Sequence, residues 1–262
     1  MSAPDPNAPG MPRTPSFRLD GRRALVAGAS SGIGFAATAA LAQAGAHVVM
    51  VARRAAELGA AAAALAADGA SVEAQTLDIA DIDATARFVA QAGPFDVLVN
   101  SAGIARHAPA LNTMPDDYDA AMNINLRAAY FLNVAVARGL IAAGKPGSLV
   151  NVSSQMGHVG GPDRTVYCAN KHALEGMTKA MAIEWAPHGI RINTLCPTFV
   201  RTPLAEKSLS DPVRKAWILS KIKLGRVGEL EDMMGPIVFL ASDASALMTG
   251  THLIVDGGWT AE

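Results

Sequence analysis

The stretch Arg23-Ala-Leu-Val-Ala27-Gly28-Ala-Ser30-Ser31-Gly32-Ile33-Gly34 decides the fold. Its first residues are apolar and β-branched or small, bounded by glycine, and read as a short buried strand. A glycine-rich turn follows, and then an alanine-rich helical stretch to about Ala44. Glycine at 28, 32 and 34 lets the turn be tight and lets backbone come close to a ligand. The N–H groups of the turn and helix start, from Ser30 and Ser31 to Ile33, then face an anion, which the helix dipole also favours. A glycine triplet alone is a weak signal. Here a strand precedes it and a helix follows, which is the context a pyrophosphate-binding turn requires.

The same strand-then-helix pattern repeats outward from that point. Apolar runs at His47–Ala52, Val72–Leu77, Asp96–Val99, Ser148–Ser154, Gly189–Pro197 and His252–Gly258 add six strands, alternating with about six helices. Such alternation predicts a parallel sheet covered on both faces. Ligands then bind beyond the C-terminal ends of the strands. Every polar motif singled out below lies at such an end. Residues 19–262 are expected to form one α/β domain, a length at which a single core is sizeable.

The chemistry is suggested by Ser154, Tyr167 and Lys171. Tyr167 and Lys171 are four residues apart, so on a helix they leave the same face. A nearby ammonium favours the phenolate and should lower the phenol pKa from about 10. Such a tyrosine can exchange a proton with a substrate oxygen. Ser154, at the end of its strand, can hydrogen-bond the same oxygen. The pair alone occurs on many helices by chance; the serine, the glycine turn and the turn Asn100-Ser-Ala102-Gly103 raise its weight.

In this collinear order the motifs resemble the short-chain dehydrogenase/reductase family. The spacing Gly28-x-x-x-Gly32-x-Gly34 is that family's, with Ala27 where threonine is usual and Ser101 where a second asparagine is usual. The resemblance implies a single doubly wound Rossmann-type domain with a seven-stranded parallel sheet. It implies hydride transfer between a nicotinamide coenzyme and a carbonyl or secondary alcohol. Tyr167 would be the acid/base, Ser154 the oxygen holder, and Lys171 the tuner of tyrosine and binder of the ribose. Asn125, in Met122-Asn-Ile-Asn125-Leu-Arg127, would hold a relay water. Asp78 and Ile79 would meet the adenine, though Asp78 capping a turn is an equal reading. Pro197, Val200 and Thr202 would flank the nicotinamide, with Thr198 in place of the usual glycine. Residues 203–223, amphipathic, charged and irregular, would be a mobile substrate lid. A homotetramer is expected on the same ground, through helices at about 115–143 and 167–188, with alanines such as Ala128, Ala135 and Ala142 allowing close approach unless they face the sheet.

Coenzyme preference follows from the end of the second strand. NAD enzymes place an acid there; this chain has Ala52 and then Arg53. A guanidinium can fork onto a ribose phosphate, so NADP(H) is favoured, with NAD(H) the alternative. Arg54 reads better as the solvated start of the next helix.

Within the family, Val136–Ile141, Val150–Gln155 and Tyr167-Cys168 resemble L-xylulose and dicarbonyl reductases, which points to a sugar or dicarbonyl substrate. Gluconate-type dehydrogenases and 3-oxoacyl-carrier-protein reductases share most of these motifs. A nucleotide-binding scaffold is the rival from another class, but it has no use for all four catalytic residues. His158, shortly after Ser154, is expected to line the substrate pocket, whose wall, roughly His158 to Arg164 together with the lid, would fix the substrate.

A formal net charge of −1 gives no reason to expect nucleic acid or an anionic membrane as partner. No apolar run reaches the roughly 18 residues that cross a bilayer. Cys168 and Cys196 lack a metal-ligand spacing, as do the scattered histidines, so no metal is expected. The cysteines suggest a reducing, cytoplasmic setting. Residues 1–18, with proline at 4, 6, 9, 12 and 15, are expected to be a mobile tail without a secretory signal.

Overall fold

The computed structural model describes residues 12–262. Its strands are β1 (Arg23–Ala27), β2 (His47–Ala52), β3 (Val72–Thr76), β4 (Val97–Asn100), β5 (Gly147–Val152), β6 (Ile190–Pro197) and β7 (His252–Val255). They form one parallel sheet in the order β3-β2-β1-β4-β5-β6-β7. From β1 the chain first builds outward to β3, then returns to β4 on the other side. The connections therefore diverge above β1 and β4, and a crevice opens there.

The helices are α1 (Gly32–Gln43), α2 (Ala55–Ala67), α3 (Ile82–Ala92), α4 (Pro115–Met122), α5 (Ala129–Ala142), α6 (Thr165–Trp185), α7 (Glu206–Leu209), α8 (Pro212–Lys221) and α9 (Glu231–Ala241). Strand alternation sorts the core into two layers. Ala24, Val26, Val48 and Met50 pack with Leu41 of α1 and Ile237 and Leu240 of α9. Leu25, Val49, Leu98 and Leu149 pack with Val89 of α3, Leu132 of α5 and Trp185 of α6. Each large aliphatic side chain so buried contributes about 1.5–3 kcal/mol. Covering both faces explains why the central strands read as unbroken apolar runs. The edge strand β3, Val-Glu-Ala-Gln-Thr, has one side open and is mostly exposed.

Two regions differ from the sequence expectation. The helix expected over about 115–143 is interrupted by a π-helical turn at Asn123–Ala128. The inserted turn carries Asn125, whose side chain is committed to a neighbouring loop; π-turns cluster at functional sites for this reason. Residues 203–223, expected to be irregular, contain α7 and α8. Asp211 Oδ1 accepts from the N–H groups of Val213 and Arg214 at 2.9 and 3.2 Å, capping α8, and Pro212 suits its first position. Ile218 is wholly buried, and Trp217 meets Trp259 edge to face at 5.3 Å.

Of the three alanines, Ala128 is fully buried among Leu132 and Val136 on the sheet side and Ala135 packs against the same layer, in keeping with the alternative that they face the sheet, while Ala142 is exposed on the outward face. That outward face also carries Tyr130, Phe131 and Ile141. Of the expected tail, residues 1–11 lie outside the described residues. Residues 12–16 have no regular structure. The Phe17 ring lies 6.2 Å from that of Phe239, and Arg18 donates to the Gln43 carbonyl at 3.2 Å. Among the described residues no helix is long and apolar enough to cross a membrane.

Candidate active site

A cleft of about 410 Å³ runs across the C-terminal ends of β1, β4, β5 and β6. Of the residues singled out in the sequence, Gly28, Ser30, Ser31, Gly32, Ile33, Arg53, Asp78, Ile79, Ala102, Gly103, Asn125, Ser154, Tyr167, Lys171, Pro197, Val200 and Thr202 line it. Gly34 and Asn100 sit just behind. A Cβ on Gly34 would strike the Gly28 carbonyl oxygen, so this glycine brings α1 onto the turn. Asn100 Oδ1 accepts from Ala102 N–H at 3.3 Å and shapes the loop after β4.

The turn after β1 has the form a dinucleotide needs. Gly28 has φ of +77°, and a Cβ there would lie 2.8 Å from the Ala102 nitrogen. The backbone can therefore approach a ligand where any side chain would fill the cradle. At the far end Arg53 is exposed at the cleft mouth and has no partner among the described residues. Arg54 is spent on Glu57, at 3.2 Å, as α2 begins. Asp78 accepts from Ala80 N–H at 3.0 Å, which caps the turn, and it also lines the cleft. Near β6 the Thr198 hydroxyl is buried without a protein partner among the described residues. A polar ligand in the cleft would satisfy it. These residues fit a bound nicotinamide dinucleotide.

The residues expected to be catalytic form the floor. β5 ends at Val152, and Ser154 caps the short turn that follows, its Oγ accepting from Met156 N–H at 3.1 Å and donating to Gln155 Oε1 at 2.8 Å. α6 carries Tyr167 and Lys171. Lys171 Nζ lies 5.7 Å from the Tyr167 ring centroid and donates to the Val152 carbonyl at 2.9 Å. Asn125 uses both ends of its amide on Ile104, accepting from its N–H at 2.8 Å and donating to its carbonyl at 2.9 Å. It clamps the loop that forms one wall.

The expected fall in the phenol pKa is corrected by this geometry. Burial pushes Tyr167 up, while a Ser154 hydrogen bond and the Arg164 charge oppose the rise. Burial also pulls Lys171 down to about 8, against the influence of Cys196 and Glu175. One apolar wall disfavours both charges. The effect is firmer for Lys171, which is 6% exposed, than for Tyr167, whose ring keeps part of its surface open.

His158 does not line the cleft. Its Nε2 lies 3.4 Å from Cys196 Sγ and 3.9 Å from Glu175 Oε2, and its ring is 4.3 Å from that of His252. The 3₁₀ turn after Ser154 swings the side chain toward β6 and β7 and away from the crevice. Burial holds its pKa below the ordinary value. The fold thus brings ligand atoms of His158, Glu175 and His252 within 4.8 Å of one another, a cluster that no sequence spacing shows. Cys196 is pushed up to about 12 by burial and the Glu175 carboxylate, an unreactive thiol.

Arg164, at the end of the stretch expected to form the pocket wall, reaches the cleft, as do residues not singled out in the sequence. His107 packs edge-on to Tyr167 at 5.5 Å, and Gln155, Phe199 and Arg164 line the wall. Arg164 sits three residues before Tyr167 on the turn that opens α6, a position whose inward facing depends on the preceding loop.

This fold and floor define the class: the chain belongs to the short-chain dehydrogenase/reductase family. The family model described as enoyl-(acyl carrier protein) reductase matches residues 28–260. Among relatives, the chain is 45% identical to an L-xylulose reductase of Bos taurus, across 94% of this chain and 99% of that one. It is 43% identical to a D-erythrulose reductase of Gallus gallus, across 94% and 98%. A gluconate 5-dehydrogenase from Burkholderia cenocepacia, solved in complex with NADP and tartrate, superposes with a TM-score of 0.89 at 36% identity, covering 94% of this chain and 98% of that one.

Proposed function

We propose that the protein is an NADP(H)-dependent oxidoreductase that interconverts a carbonyl and a secondary alcohol on a sugar or dicarbonyl compound. The observation that carries this reading is the floor of the cleft, where Ser154, Tyr167 and Lys171 converge beside a glycine cradle. Gly28, Ser31, Gly32 and Ile33 would hold the pyrophosphate, Asp78 and Ile79 the adenosine, and Pro197, Val200 and Thr202 the nicotinamide end. The bound coenzyme supplies or accepts the hydride at the substrate carbon. In the reducing direction Tyr167 gives its proton to the substrate oxygen, and Ser154 hydrogen-bonds that oxygen; in the oxidising direction Tyr167 takes the proton back. Lys171, fixed by the Val152 carbonyl, holds a positive charge under the phenol below about pH 8. Asn125 keeps the wall at Ile104 in place. The rigid arrangement places donor and acceptor before reaction, and such positioning supplies much of an enzyme's advantage.

The NADP(H) preference rests on unpartnered Arg53 and on the absence of an acid at Ala52. The named relatives act on sugars and sugar acids, which supports the substrate class. The segment 203–223 is read as a substrate lid held down through Ile218 and Trp217, with Leu204, Ala205 and Ser208 facing the cleft. The exposed apolar face at Tyr130 and Phe131 supports assembly into a homotetramer through α5 and α6, to be measured by light scattering at micromolar concentration. A cytoplasmic location belongs to the same reading, with residues 1–18 as an appended tail.

The test is a screen of sugars, sugar acids, diketones and 3-oxoacyl thioesters with NADPH and NADH in both directions. Turnover of a sugar, sugar acid or diketone with NADP(H) is expected. Turnover confined to 3-oxoacyl thioesters, or none with either coenzyme, would refute the reading.

A further inference from the structure

Two arginines of this fold are largely withdrawn from water, and they are treated in opposite ways. Arg191 is held by four acceptors: Nη1 donates to Ser245 Oγ and the Met248 carbonyl, and Nη2 donates to the Leu240 and Ser242 carbonyls, all within 3.2 Å. Its charge and donors are used up in tying β6 to the C-terminal segment. Arg164 is 4% exposed, yet among the described residues no hydrogen bond or ion pair engages its guanidinium. The Phe199 ring lies under it at 5.1 Å, and it faces the cleft. Burial lowers its pKa, and the nearby Arg214 charge acts in the same sense.

A buried cation with idle donors is costly unless a partner completes it. The neighbouring acid does not serve. Asp163 adopts φ of 61°, and its carboxylate turns outward to Arg214 at 2.8 Å. At that left-handed residue the chain turns, so that the half-buried Asp163 points to Arg214 while Arg164, next in sequence, faces the cleft. Asp78 is the one carboxylate among the described residues that line the cleft, and it stands at the adenosine end. The half of the cleft around Tyr167 and Ser154 therefore presents a cation without a protein anion. The planar guanidinium, stacked on an aromatic ring, is preorganised for a bidentate carboxylate.

We infer that Arg164 forms a carboxylate subsite, and that the substrate is a hydroxy or keto sugar acid whose carboxylate pairs with it while its carbinol or carbonyl reaches Tyr167. This rests on the oxidoreductase reading above and narrows its substrate class from sugars to sugar acids. Arg164 sets specificity; it takes no part in hydride or proton movement.

The experiment compares D-gluconate with sorbitol, a neutral polyol of equal carbon number, as substrates with NADP⁺. Wild type is expected to have a kcat/KM at least ~10-fold higher for gluconate, since a charge-assisted pair contributes about 1.5–3 kcal/mol. Arg164→Gln should reduce that ratio by ~10-fold or more, chiefly through the KM for gluconate, and Arg164→Lys should restore part of it. A ratio that Arg164→Gln leaves unchanged would overturn the inference. Thermal shift of the NADP⁺ complex by each compound is measured in parallel. If neither compound turns over, the oxidoreductase reading is left to the wider screen above, and the subsite is still tested. Stabilisation by gluconate but not sorbitol, lost in Arg164→Gln and partly regained in Arg164→Lys, supports it, and equal stabilisation in wild type and Arg164→Gln rejects it.

Discussion

The two ends of the cleft solve opposite problems. At the proposed catalytic end Ser154 and Lys171 are each 6% exposed, Ser154 is bonded to Gln155 and Lys171 to the Val152 carbonyl, and burial moves the pKa values. At the adenosine end Arg53 stands in water with no protein partner. Low dielectric strengthens each interaction of the floor but penalises its charges. Water weakens each contact of the mouth and leaves it open to screening by salt. The floor should thus give large, all-or-none effects on turnover, and the mouth graded effects on coenzyme choice.

The largest effect is expected from Tyr167→Phe. The ring keeps its packing against His107 and loses only the hydroxyl. General acid–base catalysis is worth roughly 10²- to 10⁴-fold, so kcat should fall that far while coenzyme binding, measured by fluorescence titration, persists. Turnover near the wild-type value would dissolve the distinction between floor and mouth.

At the mouth, Arg53→Ala removes one charge-assisted contact, about 1.5–3 kcal/mol if desolvated, or roughly ten- to hundredfold in the KM for NADPH. The KM for NADH should hardly move. The gap between the coenzymes should also narrow with added salt, as it does for contacts exposed to screening. Equal losses with NADPH and NADH would show that Arg53 supports the loop and does not read the phosphate.

Much of both ends was legible in the sequence because each piece is local. The glycine turn, the strand before it and the helix after it lie within Arg23–Gly34, and the residues on one face of α6 follow from helical spacing. What was not legible depends on loop direction or on burial. His158 follows Ser154 closely, but a 3₁₀ turn aims it at Cys196 and Glu175. Arg164 faces inward because Asp163 takes a left-handed conformation, which no spacing reveals. The phenol was expected to acidify beside Lys171, since pairing is visible in sequence and desolvation is not. Ala128 belongs to the sheet layer because the π-turn before α5 resets which face points inward.

Desolvation gives a pH prediction of intermediate size. Lys171 is pulled down to about 8, so its ammonium is present below that pH and lost above it. Tyr167, pushed up, stays protonated as the acid for reduction through the same range. The kcat/KM for carbonyl reduction should therefore be level at neutral pH, half-maximal near pH 8, and about tenfold lower one unit above, following a single ionisation. A profile flat through pH 9.5 would mean that the lysine charge is not needed, or is held by the bound coenzyme.

The smallest effect should come from Arg54→Ala, and it sharpens the comparison at the mouth itself. Arg54 is adjacent to Arg53 and also lines the cleft, so charge alone does not separate them. Their partners do. Arg54 Nη1 lies 3.2 Å from Glu57 Oε1, with the two side chains 63% and 49% exposed, an exposed helical pair of the kind worth about 0.3–0.5 kcal/mol. A cation in the first turn of α2 is also mildly unfavourable toward the helix dipole, which offsets part of that gain. Arg54→Ala should then shift the melting temperature by no more than about 1–2 °C, and the KM for NADPH by less than about twofold, the factor matching a few tenths of a kcal/mol. If Arg54→Ala instead raised that KM as far as Arg53→Ala, the ion pair with Glu57 would have to open on coenzyme binding, and the phosphate would be read by both guanidiniums together.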